Sequence, residues 1–154
     1  MVITFCGHSI LSNIDDEMIK TSIKDIVKNF YQKEPITFYL GGYGDFDNIA
    51  KAACLEFKKE HPNCSLIFIT PYLEEDYLKS KDIRNLGYDE IMYPHLEEVP
   101  KRFAIVKRNE WMIDNSDLLI AYIDYSIGGA YKTFEYAQKQ KINTINLGHF
   151  NQKI

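Results

Sequence analysis

The chain has 154 residues, the length of one domain with a single sizeable core. Hydrophobic residues at 45% and charged residues at 26% are ordinary globular values, which exclude a disordered or membrane-embedded class. A formal net charge of −4 argues against non-specific binding to nucleic acid, which needs a dense basic field, so nucleic acid is not an expected partner.

The start, Met1 to Cys6, lacks the basic region of a signal peptide, and no apolar stretch approaches the ~20 residues of a membrane span. A soluble cytoplasmic protein with no membrane partner is expected. Cys6, Cys54 and Cys64 form no close pair, and no Cys/His cluster has zinc-ligand spacing, so neither metal nor cofactor is expected.

Apolar runs alternate with helical patterns from end to end. Val2–Cys6 reads as a strand closing at Gly7-His8-Ser9. Asp15–Gln32 reads as an amphipathic helix through Met18, Ile23, Ile26, Val27 and Phe30. Ile36–Leu40 is the second strand, and Asp45–His61 a helix with Ile49, Ala52, Ala53, Leu55 and Phe57 on its apolar side. Ser65–Thr70 is a third strand that stops at Pro71, and Tyr72–Asn85 has weak helical character. Tyr88–Tyr93 is a short strand, Pro100–Asn115 a helix, Asp117–Ile123 a strand, Tyr131–Lys141 a helix and Asn143–Leu147 the last strand. Solidly apolar strands alternating with helices predict one α/β domain over residues 1–154. Its doubly wound, mostly parallel sheet of about six strands is covered by helices on both faces, in a Rossmann-like arrangement.

In such sheets ligands sit beyond the carboxyl ends of the strands. Three stretches are expected there: Gly7-His8-Ser9, the turn Gly41-Gly42-Tyr43-Gly44 with Asp45 and Asp47, and Ser126 to Thr133. Gly128-Gly129 opening a helix, with Lys132 and Thr133 in its first turn, is a candidate phosphate cradle, because helix N-terminal N–H groups and the dipole both favour an anion. Tyr131 stands where a Walker motif requires glycine, so an ATPase of that type is excluded. Gly41-Gly42 would let a ligand approach, and Asp45 or Asp47 would accept from a ribose hydroxyl or simply cap the helix. His8 could face the cleft, and Tyr43, Tyr125 and Tyr131 could stack on a base. Arg108, beside a core-facing stripe, needs a partner, either a carboxylate or a ligand phosphate.

Arg108-Asn109-x-x-Met112, Asn115-Ser116-Asp117 opening a strand, and Gly128-Gly129 with Thr133 and Glu135 together resemble the SLOG superfamily, which includes the LOG phosphoribohydrolases and the DNA-processing protein DprA. Gly7-His8, the Phe38 to Phe46 glycine turn and Ile69-Thr70-Pro71-Tyr72 resemble its small bacterial YpsA-like (DUF1273) branch. The resemblance implies a cytoplasmic sensor or regulator that binds a nucleotide or nucleotide derivative, and a homodimer or higher homo-oligomer. Its enzymatic alternative is N-glycosidic cleavage or transfer on nucleoside monophosphates, with Glu135 and Arg108 catalytic. Glu135 stands one residue before the catalytic position of the LOG motif, which falls on Tyr136. A third class is a pure interaction module.

Overall fold

The computed structural model describes residues 1–81 and 87–150. Strands β1 (Val2–Gly7), β2 (Thr37–Leu40), β3 (Ser65–Ile69), β4 (Glu90–Met92), β5 (Leu118–Tyr122) and β6 (Asn143–Asn146) form one parallel sheet in the order β4-β3-β2-β1-β5-β6. Helices α1 (Asp16–Phe30) and α2 (Asp45–Glu60) bury one face of it, around Ile3, Phe38, Leu66 and Ile120. Helices α4 (Ala104–Asp114) and α5 (Gly129–Gln140) cover the other, against Cys6, Leu119, Ala121 and Ile69. The short α3 (Glu75–Ser80) follows β3. The expected α/β architecture is therefore observed. β3 and β5 are apolar because helices cover both faces of the sheet there.

Differences lie at element ends and in helix phase. Asp15 does not enter α1; its carboxylate caps it by accepting the Met18 N–H at 3.2 Å. Met18, expected on the apolar side, is 65% exposed, and Ile19 occupies the buried position with Ile23 and Val27. In α2 the buried side is Phe46, Ile49, Ala50, Ala53, Cys54 and Phe57, so Ala52 and Leu55 fall at its margin. The helix expected from Pro100 begins as a 3₁₀ turn, Lys101–Phe103, before α4. Within Tyr72–Asn85 only α3 is helical among the described residues, and 82–86 lie outside them.

From β1 the chain moves outward through β2 and β3 to β4, then returns to place β5 on the other side of β1. The strand order reverses at β1, so a crevice opens between the carboxyl ends of β1 and β5.

Candidate functional site

The two glycine turns share one backbone shape. Gly44 (φ 92°, ψ 177°) precedes α2 and Gly128 (φ 97°, ψ 177°) precedes α5, and neither helix has a side-chain cap. Their surroundings are opposite. A Cβ on Gly44 would lie 2.6 Å from Ser9 Cα, and one on Gly42 2.5 Å from the Phe68 ring. Asp45 donates its N–H to the Ser9 carbonyl at 2.8 Å and accepts the Leu11 N–H on its carboxylate at 2.8 Å. The chain's own loop thus fills the first turn. Around Gly128 and Gly129, apart from the adjoining chain and the helix's own backbone, no atom of the described residues lies within 4 Å of where a Cβ would stand. The first amides of α5 are open, and its dipole favours an anion there.

The cleft beside that open end encloses about 330 Å³. Gly7, His8 and Ser9 form one wall, Tyr125 with Ile127 to Ala130 another, and Asp47, Arg108, Asn109 and Met112 lie deeper. Gly7 is glycine because a Cβ would fall 2.4 Å from the Phe46 ring. His8 is buried, and its Nε2 accepts the Asp124 N–H at 2.9 Å, which places the ring proton on Nδ1. Burial holds this imidazole below its ordinary pKa, with the Asp124 carboxylate opposing, so the neutral ring is the resting form. Tyr125 stacks on it, centroids 3.8 Å apart and planes 6° off parallel, while remaining 51% exposed. Tyr43, 68% exposed, stands at the opposite lip under Lys81, which donates to the Gly42 carbonyl at 3.2 Å.

Arg108 is buried. Nη1 donates to the carbonyls of Ile69 (2.8 Å) and Gly41 (3.1 Å), and Nε donates to Asn109 Oδ1 at 2.9 Å. It therefore ties the ends of β2 and β3 to α4, and the Asp47 carboxylate and Tyr77 hydroxyl favour its charge against burial. The half-buried Asp47 accepts the Tyr43 N–H at 3.0 Å. Burial raises its carboxyl to about 6, against the pull of that N–H, of Arg108 and of Lys81. Burial also pushes the Cys6 thiol far up, so this sulfur is an inert part of the wall.

Of the expected site residues, Gly7, His8, Ser9, Asp47, Arg108, Gly128, Gly129 and Thr133 meet in the cleft. Gly41, Gly42, Gly44 and Asp45 do not; they pack the first turn against Arg108, Phe68 and Ser9. Lys132 points to solvent outside it. The Thr133 hydroxyl donates back to the Gly129 carbonyl at 3.0 Å. Glu135 also lies outside the cleft, 3.8 Å from Lys139 on α5, and Tyr136 donates to the Asp114 carboxylate at 2.8 Å. Glu135 and Arg108, expected to act together in catalysis, are thus placed apart: one lies outside the cleft and the other donates to backbone carbonyls within it. Asn109 and Ile105 lie outside the three stretches expected at the cleft. Asn109 was legible only as a neighbour of Arg108.

Solved structures of DNA processing protein A are similar to this chain in fold. That from Helicobacter pylori, described for its unique single-stranded DNA binding mode, superposes with a TM-score of 0.66 over 95% of this chain at 16% identity. That from Streptococcus pneumoniae gives 0.65 over 94% at 14% identity. The chain spans 64% and 49% of their lengths. The fold is thus the DprA-like one that the SLOG resemblance implied. Its appearance in a single-stranded DNA-binding protein overturns two expectations: a free nucleotide or nucleotide derivative as ligand, sensed or cleaved, and the exclusion of nucleic acid. Net charge does not exclude nucleic acid, because it reports the whole surface, whereas single strands are also held by stacking. No protein-family model matches the chain. It is 30% identical over 139 residues, 79% of its own length and 81% of its relative's, to the SPbeta prophage-derived protein YoqJ of Bacillus subtilis (strain 168), and it belongs to that protein's family.

Proposed function

We propose that this protein binds single-stranded DNA across the cleft between β1 and β5. The observation that carries the reading is the exposed Tyr125 ring, stacked on His8 directly beside the open N-terminus of α5. A base stacks on the tyrosine face, and the adjoining phosphate takes the free amides at Gly129 and Ala130. Ser9 and Thr133 border the phosphate position, and Tyr43 offers a second stacking face at the opposite lip. A base–aromatic contact contributes about 1–3 kcal/mol and tolerates any base, so strand rather than sequence recognition is the basal activity.

Titration of a fluorescein-labelled oligothymidine, followed by anisotropy, tests this. The strand is expected to bind and its duplex not to. Tyr125→Ala should weaken binding roughly 5- to 100-fold. Gly129→Asp separates binding from folding: a carboxylate in the first turn of α5 suits the helix dipole but repels phosphate. Binding should fall while the melting temperature holds or rises. Equal affinity for strand and duplex, or no loss in either variant, would remove the reading.

Three narrower assignments belong with it. Cytoplasmic action is supported by Cys6, Cys54 and Cys64, all reduced and buried, as suits a reducing compartment. Membership of the YpsA-like branch is supported by the Gly7-His8 wall and the Arg108-to-Met112 segment of the cleft. A homodimer has an available apolar surface in Phe103 and Val106, both nearly half exposed at the start of α4, and sedimentation at micromolar concentration would detect it.

A further inference from the structure

The deeper part of the cleft holds hydrogen-bonding groups that stacking and phosphate binding leave unused. Asp47 Oδ2 accepts the Tyr43 N–H, and Oδ1 accepts nothing among the described residues. Each carboxylate oxygen has two acceptor positions, so both retain capacity. Arg108, the nearest buried cation, commits Nη1 to two backbone carbonyls and Nε to Asn109, and forms no ion pair with Asp47. Asn109 accepts that Nε on Oδ1, which orients its amide and turns Nδ2–H2 away from the arginine. Both side chains are half-buried and line the same cleft as Tyr125. Keeping Asp47 charged there costs stability, since burial lifts its carboxyl to about 6. A ligand bearing paired donors would offset that cost.

We infer that the cleft reads one base of the bound strand and prefers guanine, with Asp47 accepting from N1–H and N2–H2 and Asn109 donating to O6. This rests on the single-strand reading above. A volume of about 330 Å³ is at the low end of ligand clefts and suits one base rather than a run of them. Guanine alone presents two adjacent donors, N1–H and N2–H2, to a carboxylate, with an acceptor next to them. Adenine and cytosine each offer a single exocyclic amine beside a ring acceptor. Thymine fits worst: O2 and O4 flank its N3–H and face the carboxylate. The neutral His8 beneath Tyr125 adds no charge that would favour one base over another.

The test uses labelled oligothymidines that differ only in one central base: guanine, inosine, cytosine or thymine. Inosine retains N1–H and the 6-oxo group and lacks only the 2-amino group. Guanine should bind about tenfold tighter than thymine, the discrimination of one good bidentate pair, with inosine between. Asp47→Asn should bring the guanine-to-inosine ratio close to one, and Asn109→Ala should reduce the guanine-to-thymine ratio independently. Equal affinities, a preference for cytosine, or an undiminished ratio in both variants would overturn the inference and leave strand binding standing. Failure of every oligonucleotide to bind would remove the proposed function as well.

Discussion

Asp47 has a folded-state pKa of about 6, above the ordinary 3.8, with Arg108, Lys81, Cys6 and Tyr88 as its titratable neighbours. A raised carboxyl pKa means the folded chain holds the proton more tightly than the unfolded one. The associated stability is complete below the ordinary value and is lost as pH rises through about 6. Asp47→Asn keeps an acceptor for the Tyr43 N–H and removes the charge. It should therefore raise unfolding free energy by about 1–3 kcal/mol at about pH 8, with the gain vanishing near pH 4. Urea denaturation at the two pH values measures it; a gain as large in acid would mean the charge is not the cause. Arg108 and Asp47 were legible as site candidates from their positions, but the hydrogen-bond partners of Arg108 were not. Its partners are the Ile69 and Gly41 carbonyls, and a backbone carbonyl has no signature in the sequence.

At the scale of elements, the two strand–glycine–helix turns provide a controlled comparison. Gly44 and Gly128 share a conformation that is close to glycine-only, so alanine at either is strained. At Gly128 that strain is the whole effect, about 1–3 kcal/mol. At Gly44 the new Cβ also meets Ser9 Cα at 2.6 Å, a backbone atom that cannot turn aside. Gly44→Ala should be clearly more destabilising than Gly128→Ala in chemical denaturation. Equal losses would show that the Ser9 loop yields freely. Both turns were visible in the sequence as an apolar run, a glycine pair and a helical period. Which helix end stays open was not, because Ser9 and Phe68, which close the first, come from distant parts of the chain.

Over the whole molecule, the charge of −4 and the commitment of Arg108 to backbone limit strand binding to few phosphates. With at most one phosphate neutralised by a side-chain cation, the slope of log K against log salt should be no steeper than about −0.7, the share of each neutralised single-strand phosphate. A slope steeper than about −4 would place the interface on a basic surface elsewhere. The alternation of apolar strands and amphipathic helices was enough by itself to determine a covered parallel sheet, because burial on both faces demands that pattern locally. Strand order, the reversal at β1, the closing of one glycine turn and the opening of the other were decided only in three dimensions. Each depends on contacts between segments far apart in the chain, and local periodicity carries no record of them.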